Sequence, residues 1–507
     1  MANLPFFSTL EAFYYMRFHL RILSFILLFL SPGVYGQRQH CAFDEARTEM
    51  QRAYPEQKMR EDAMNARIAA WVSSHAGQPT EPGRYFPNGP DFIIPVVVHV
   101  VHNGEAVGAG TNISYAQVRS QIDALNAAFS KYSATANYYQ ALAGSQFGAV
   151  APGTHAVDTR IRFCLATNPG NGVSWTSAAE PGVMRYNDPA ASRHAYTAAS
   201  QTQLANLTQP GGVFPSDKFL NVWVVTAIRF GGAVNSGDCP GIEGYATIAG
   251  YTGPQVRLIE GVVMRSDVFG DNFITGNSFN LQPNNNPACP NGQNNTLANR
   301  GKIFAHEVGH FLGLYHTFHE CNSSVTALCS TTGDLICDTN PCDQPGAATG
   351  CGLSDMPENF MYYSDDATLN TFTIGQRDRM HGMLNTERAS LVEESNVLAS
   401  GVLGPNGCFA GTVMAEFTNA NIICANTAIV FSNVSGSGNL ANQWQWTVTP
   451  STGVSISTPN AASTDIIFPS AGTYMVELTA SNSGSQVRTF QKIIQVTACQ
   501  LLDCRKN

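Results

Sequence analysis

The stretch "FIIPVVVHVV", residues Phe92–Val101, decides how this 507-residue chain begins to fold. It is a continuous β-branched run, which is typical of a strand whose two faces are both buried in a parallel sheet. The segment that follows, "SYAQVRSQIDALNAAF", repeats apolar residues at helical spacing, and Ser114 with Gln117 predicts a capping box at its start. Three more apolar runs, "IRFCLA", "FLNVWVVTA" and "EGVVMRS", predict strands. The order of elements therefore predicts an α/β domain built on a twisted, mostly parallel sheet.

The composition is that of a globular protein, with 44% hydrophobic and 13% charged residues. The length predicts two to four domains. A net charge of −9, with no run of Lys or Arg, gives no reason to expect nucleic-acid binding.

The N-terminal region predicts export. Arg17 and Arg21 precede the apolar run Ile22–Leu30, and a small-residue cleavage site follows it. Residues 1–36 are therefore interpreted as a signal peptide whose functional start is Met16, with residues 1–15 as an upstream extension. The run is shorter than the ~20 apolar residues that span a bilayer. A buried N-terminal helix is the alternative. No other stretch is apolar for long enough to cross a membrane, so we expect a secreted protein without a membrane span.

The thirteen cysteines fit an oxidising compartment and predict disulfides, whose connectivity the sequence leaves open. The spacing of Cys337 and Cys342 also allows a zinc knuckle, although no matching second pair is present. The odd total leaves at least one thiol unpaired.

Composition shifts divide the rest of the chain. A polar, helix-prone arm that ends in Pro and Gly precedes the α/β domain, and a Gly/Pro linker separates that domain from alternating strands typical of a β-sandwich. In that sandwich Trp444 and Trp446 are expected to face the core rather than a ligand. The predicted units are a pro-segment (37–90), a catalytic domain (91–395), a linker (396–410), an all-β sandwich (411–497) and a tail (498–507).

The stretch "HEVGHFLGLYH" carries the chemistry of the chain. His306 and His310 are four residues apart, so on a helix they share a face and can bind one ion together. Glu307 lies beside them at the edge of that face. Gly313 can end the helix in a left-handed conformation, which lets the chain turn back and bring His316 as a third ligand.

Three neutral imidazoles suit Zn²⁺ and leave a fourth position open, which is the arrangement of catalytic rather than structural zinc sites. Zinc lowers the pKa of its water to about 7 and polarises a carbonyl. Glu307 would take the proton of that water and pass it to the leaving amine, which predicts peptide hydrolysis without a covalent intermediate. An ordinary core helix and the hydrolysis of a non-peptide amide are the alternatives.

Downstream, "ENFMYYSDDATLNTFTIGQRDRM" contains Met361 and Tyr363. The extended zinc motif followed by such a methionine turn resembles the metzincins and, more narrowly, the pappalysin family over roughly residues 91–390. The resemblance implies that the three histidines bind zinc, that Glu307 is the general base and acid, and that Met361 forms a floor below the metal. It also implies that Tyr363 stabilises the oxyanion and that "EGVVM" is the edge strand along which the substrate lies. For Met361 the alternative is a plain core methionine.

The same resemblance suggests three further roles. Asp366 would line the pocket for the residue after the scissile bond and favour Arg or Lys there, unless it is a solvated loop acid. Asp334 and Asp338 would be ligands of a structural calcium ion. Cys41 in "RQHCAFDE" would cap the zinc and keep the enzyme latent, although the family's following glycine is missing. An ordinary unpaired or disulfide-bonded cysteine is the alternative.

The C-terminal strands resemble a PKD-type domain, a class of extracellular spacers and weak glycan or protein binders. The leading interpretation is a secreted zinc endopeptidase, made as a zymogen, that acts on proteins or peptides. The alternative is a surface-binding protein whose PKD-like module binds glycan or protein and whose metal domain is a scaffold. Glu307 favours the enzyme, because a scaffold has no need of this acid. Four other histidines have no ligand spacing: His99, His102, His319 and His381.

Overall fold

The structure of the protein is a computed structural model. It describes residues 41, 43–75, 92–130, 157–170, 172–230, 242–249, 259–272, 278–279, 281, 300–319, 333–339, 356–364, 366, 369–403, 407–408, 417–419, 423–433, 442–481 and 487–498. The predicted signal peptide lies outside the described residues, as do all but the first residue of the predicted tail.

The helices, in chain order, are α1 (Phe43–Ala53), α2 (Glu56–His75), α3 (Tyr115–Phe129), α4 (Pro189–Ser192), α5 (Ala198–Thr208), α6 (Lys302–Phe311), α7 (Ile374–Asn385), α8 (Ala389–Val392) and α9 (Glu394–Ala399). The strands of the first unit are β1 (Phe92–His102), β2 (Ile161–Leu165), β3 (Val183–Asn187), β4 (Arg193–Tyr196), β5 (Leu220–Val225), β6 (Ala227–Phe230), β7 (Gly244–Ala246) and β8 (Gly261–Arg265). The strands of the second unit are β9 (Phe417–Asn419), β10 (Ala428–Asn433), β11 (Gln443–Thr449), β12 (Ser455–Ile456), β13 (Ser463–Ile467), β14 (Gly472–Ser481) and β15 (Val487–Val496).

The first unit is built on a sheet with the strand order β2-β1-β5-β8-β7, and β3 also pairs with β1. All these pairs are parallel except β7 with β8. Every residue of β1 is buried, as the unbroken β-branched run predicts. The strand directions match the predicted, mostly parallel sheet.

The edge of this sheet differs from the prediction. The "EGVVM" segment forms β8, which is paired on both sides, by β5 and by β7, so its assignment as the edge strand is wrong. The three-residue strand β7 lies at the edge instead. Such a short strand has no alternation to reveal it in the sequence.

Helices α3 and α6 cover one face of the sheet and share one apolar core with it. The Ser114 side chain caps α3 by accepting from the Gln117 backbone N–H. The predicted capping box is only half formed, because the Gln117 side chain donates to the carbonyls of Ser266 and Phe269. Gln117 therefore ties α3 to the chain that leaves β8.

The second unit is a two-layer β-sandwich, as predicted. Its sheets have the orders β12-β13-β10-β9 and β11-β14-β15. Trp446 and Val448 on β11 face a common core with Tyr474, Val476 and Leu478 on β14. Trp444 is half-buried and packs against the same core.

The described part of the predicted linker, residues 396–403 and 407–408, is packed against the first unit rather than free. The predicted linker begins inside α9, and the apolar side chains of its sequence join Ile93 in a small buried cluster. Those side chains are Val397, Val402 and Leu403. Their burial explains the difference, since a Gly/Pro-rich composition does not reveal which apolar residues find a core.

Four of the described cysteines are disulfide-bonded. Cys164 on β2 is bonded to Cys408. Cys337 and Cys424 each take part in a disulfide as well. The zinc-knuckle alternative for Cys337 is therefore wrong. Cys41 is a free, buried cysteine. Within the described residues, no helix is both long and apolar enough to span a bilayer.

Candidate metal centre

Helix α6 carries the first two histidines of the motif, and every one of its residues is buried. The helix ends at Phe311, and Gly313 follows with a φ of 89°. A Cβ at Gly313 would lie 2.6 Å from Cε of Met383. The predicted turn at Gly313 is confirmed, and it requires glycine because both the left-handed backbone and the close neighbour disfavour a side chain.

The turn brings His316 back to the helix. The Nε2 atoms of His306, His310 and His316 lie 3.1–3.2 Å from one another. With Cys41 they form the one group of three or more potential metal ligands within the described residues, and its ligand atoms all lie within 4.8 Å of one another. The structure thus brings together the three histidines that the spacing predicts.

The opposite nitrogen of each imidazole fixes the ring. Nδ1 of His306 lies 2.6 Å from the carbonyl oxygen of Phe360, and Nδ1 of His310 lies 2.8 Å from that of Leu314. A carbonyl only accepts, so both Nδ1 atoms carry the proton and both Nε2 atoms are left with a bare lone pair.

Lone pairs that converge at this distance repel one another unless a cation lies between them. A tetrahedral zinc ion with bonds of about 2.0–2.1 Å separates its nitrogen ligands by about 3.3 Å, close to the spacing found here. Burial, together with the neighbouring His316 and His306, lowers the pKa of His310 well below its usual value. The ring is therefore neutral at pH 7, as a metal ligand must be. The donor set fits zinc.

Glu307 lies beside the three histidines, between α6 and the edge strand. A Cβ on Gly244 of β7 would be 3.0 Å from Cγ of Glu307. Its Oε2 is 3.4 Å from Sγ of Cys41, while Oε1 is buried without a hydrogen-bond partner. Burial raises the pKa of Glu307 to about 8, against a smaller lowering by the Cys41 hydrogen bond. A buried carboxyl whose proton is held near neutral pH suits general acid–base work.

Cys41 reaches the centre from the predicted pro-segment. It forms an isolated parallel bridge with Gly244, so this piece of chain lies along the edge strand β7. Burial, followed by the charge of Glu307, raises the pKa of its thiol well above the usual value. Its backbone carbonyl accepts a hydrogen bond of 3.0 Å from Oη of Tyr363.

Met361 and Tyr363 both lie at the site. Met361 is fully buried beneath α6, and its sulfur would be 2.5 Å from a Cβ at Gly309. The ring of Tyr363 is 4.8 Å from that of His316, centroid to centroid. Both residues lie at the site, and their roles as floor and oxyanion donor stay predictions.

Two neighbours of Cys41, Phe43 and Asp44, also contact the site, although no sequence pattern predicts it. The ring of Phe43 stacks on His310 at 3.8 Å with an interplanar angle of 3°. The carboxylate of Asp44 lies 2.6 Å from Nδ1 of His316 and 3.2 Å from Nδ1 of His319. The first two residues of helix α1 therefore pack directly against the histidines.

Helix α2 is hydrogen-bonded to the loop that carries His316, the third histidine. Tyr315 donates to Glu61 at 2.5 Å and accepts from the Asn65 side chain at 3.0 Å. Arg379 donates to Asn65 at 2.5 Å and to the carbonyl of Gly313 at 2.8 Å. Glu61 and Asn65 are four residues apart and so share one face of α2. This spacing could have indicated a polar contact face, but the sequence does not indicate which residue that face contacts.

Asp366 is buried, so the solvated-acid alternative is wrong. Its Oδ2 accepts from the backbone N–H of Arg300 at 2.9 Å, next to the start of α6, and the charge of the buried Lys302 lies nearby. This position supports a contact that anchors the zinc-motif helix. The specificity role stays a prediction.

Asp334 and Asp338 are both occupied by protein donors. The Asp334 carboxylate accepts from the backbone N–H of Ile336 and the hydroxyl of Thr339. The Asp338 carboxylate accepts from Thr373 and Gly375 at the start of α7. Within the described residues neither belongs to a group of three or more metal ligands. Calcium binding stays a prediction.

The four histidines that lack ligand spacing are all buried. His99 is fully buried and bonded to Asn221, and His381 is bonded to the carbonyl of Thr159. His102 accepts from the backbone N–H of Gly104. His319 stacks on Tyr315 at 4.6 Å and meets Asp44 rather than the metal cluster.

Comparison with known proteins identifies this region. The family model Peptidase_M43, described as pregnancy-associated plasma protein-A, matches residues 286–385. An "Extracellular metalloprotease" of Arthroderma otae is 42% identical over 98 residues, which is 18% of this chain and 33% of the relative. "Extracellular metalloprotease 1" of Coccidioides posadasii is 38% identical over 96 residues, 18% of this chain and 32% of the relative. The resemblance to pappalysin-type peptidases is confirmed over this segment, which spans about a third of the length of the curated relatives it matches.

A solved PKD-type structure is similar to part of this chain. The PKD1 domain of the Vibrio cholerae metalloprotease PrtV aligns with 17% of this chain and 98% of its own length, at 20% identity and a TM-score of 0.13. A TM-score this low carries no argument, so the β-sandwich is assigned from the strand pairing of the chain itself.

Proposed function

We propose that this chain, whose residues 286–385 match the peptidase family M43, is a secreted zinc endopeptidase. The observation that carries the proposal is the convergence of three imidazole lone pairs beside a buried glutamate. His306, His310 and His316 would hold the ion. When bound there, zinc supplies a Lewis acid and a water of lowered pKa.

The residues of the chain would divide the remaining work. Glu307 takes a proton from the attacking water and delivers it to the leaving amine, which its buried position beside the three histidines and its unpaired Oε1 support. Tyr363 donates its hydroxyl proton to the developing oxyanion once the carbonyl of Cys41 has left. The outer edge of β7 offers backbone groups to an extended substrate.

The pro-segment would keep the enzyme latent. Cys41 occupies the edge strand, its sulfur lies within the ligand cluster, and a thiolate is a good fourth ligand for zinc. A Cys41→Ala precursor is expected to cleave peptides faster than the wild-type precursor. An equally latent variant would contradict this role.

Two finer features complete the proposal. A preference for Arg or Lys after the scissile bond would depend on Asp366, and an unchanged cleavage profile in Asp366→Ala would remove that idea. The PKD-like sandwich would act as a spacer or bind extracellular glycan or protein. A chain that only binds surfaces has no need for Glu307, which favours the enzyme over that alternative.

The test is metal-dependent cleavage. The purified chain, freed of residues 37–90, is incubated with casein and with a small amide, with and without a zinc chelator. We expect casein cleavage that the chelator abolishes and added zinc restores. Cleavage that survives chelation would contradict zinc catalysis, and cleavage of the small amide alone would favour a non-peptide substrate.

A further inference from the structure

The three imidazoles of the metal centre differ in the group to which their Nδ1 atoms are hydrogen-bonded. Nδ1 of His306 and Nδ1 of His310 are bonded to carbonyls of the catalytic unit itself, those of Phe360 and Leu314. Nδ1 of His316 is bonded instead to a carboxylate of the pro-segment, that of Asp44, at 2.6 Å. The third ligand therefore has an outer partner that leaves with the pro-segment.

The carboxylate of Asp44 is well held for this task. Its other oxygen meets Nδ1 of His319 at 3.2 Å, and His319 is stacked on Tyr315. The neighbouring Phe43 is stacked on His310, which fixes the start of α1 against the cluster. One carboxylate is thus positioned between two imidazoles, with one oxygen directed at each.

A carboxylate behind a ligating imidazole has a known physical effect. It fixes the tautomer, orients the ring and makes the other nitrogen a stronger donor, and losing such a partner typically costs 10–100-fold in metal affinity. A backbone carbonyl is neutral, so it does the same less strongly. His316, which stands on a loop rather than on α6, gains most from being oriented.

We propose that the carboxylate of Asp44 orients His316, the third zinc ligand, through its hydrogen bond to Nδ1. The pro-segment would then raise the zinc affinity of the precursor, in addition to blocking its cleft. Asp44 is a positioning residue that acts through His316. This inference rests on the proposed zinc site, and it makes the precursor the form that loads the metal.

The test compares full-length precursors that differ in one side chain. Zinc affinity is measured by competition with a chromophoric chelator for the wild type, for Asp44→Asn and for the matched control Asp62→Asn. Asp62 lies on α2 with its side chain 61% exposed, paired only with Lys58 at the surface. We expect Asp44→Asn to weaken zinc binding by about 10–100-fold and Asp62→Asn to leave it unchanged.

A second pair separates the carboxylate from the thiol. If Asp44 acts through His316, then Asp44→Asn in a Cys41→Ala precursor weakens zinc binding by the same factor as in the wild type. An effect that disappears without Cys41 would mean that Asp44 only docks the thiol, which overturns the inference.

Spectra of the cobalt(II)-substituted precursor test whether Asp44→Asn simply detaches the pro-segment from the metal centre. The sulfur-to-cobalt charge-transfer band of Asp44→Asn should persist, because Cys41 still reaches the metal. Loss of that band, or wild-type zinc affinity in Asp44→Asn, overturns the inference. If no precursor binds zinc at all, the proposed function fails instead.

Discussion

At the level of single residues, the metal centre depends on helix α6 and on the turn that follows it. His306 and His310 lie one turn apart on α6, so helical geometry fixes their relation. Gly313 lies just beyond the end of the helix, where it turns the chain back to His316. Phe43 and Asp44 could not be predicted, because their contact with the site joins positions more than 260 residues apart. Nothing local in the sequence marks such a contact.

Gly313→Ala tests the turn that delivers the third ligand. The left-handed backbone costs a side chain about 1–2 kcal/mol, and the new Cβ also meets Met383 at 2.6 Å. Gly172 is the matched control, since its φ is 70° with nothing within 4 Å. Denaturant unfolding should show a larger loss for Gly313→Ala than for Gly172→Ala, and only Gly313→Ala should lose zinc. Equal losses with full zinc in both would contradict the role of the turn.

At the level of elements, hydrophobic patterning predicted β1, α3 and the sandwich strands, because burial on one or both faces leaves a period in the sequence. The helical character of the arm before β1 was also predicted. Its docking on the site was not, because it depends on polar pairs such as Glu61 with Tyr315 whose partners the sequence does not name. The edge strand was misassigned for a different reason, because the three-residue strand β7 is too short to show a period in the sequence.

Asn65→Ala tests the hold of α2 on the ligand loop. The variant removes the amide that bonds both Tyr315 and Arg379. Buried hydrogen bonds to charged groups contribute about 1.5–3 kcal/mol, so docking of α2 should weaken by roughly 10–100-fold. The precursor should show higher peptide-cleaving activity and faster proteolysis within α2. The exposed substitution Asp62→Asn should change neither, and an Asn65→Ala precursor as latent as the wild type would rule out this hold.

At the level of the whole molecule, composition and linker signals predicted two units, yet the described part of the predicted linker is packed on the first unit and joined to it by Cys164–Cys408. Pairing of distant cysteines cannot be deduced from one sequence, because several connectivities satisfy the same spacing. The core of the first unit also holds buried ionisable groups of both kinds. They give the fold opposing responses to pH.

His381 and Asp334 separate these responses. Burial lowers the pKa of His381 to about 4, so its contribution to stability is present above the unfolded value of about 6.5 and is lost as pH falls toward 4. Burial raises the pKa of Asp334 to about 7, so its contribution is present at low pH and is lost as pH rises from about 4 toward 7.

The measurement is the free energy of unfolding in urea at pH 6.5 and pH 5. Going from the higher to the lower pH, His381→Asn should lose about 1–2 kcal/mol less than the wild type, since each pH unit is worth about 1.36 kcal/mol once the unfolded histidine is protonated. Asp334→Asn should deviate from the wild type in the opposite direction. Two variants that follow the wild-type curve would contradict the burial argument.

The central claim is that Glu307 works beside a zinc ion without binding it. The most direct measurement is zinc content and kcat for Glu307→Gln and the wild type, both freed of residues 37–90. We expect equal zinc, at one ion per chain, and a kcat lower by about 10²–10⁴-fold, the range for loss of a general base. Robust cleavage by Glu307→Gln, or loss of its zinc, would contradict the account.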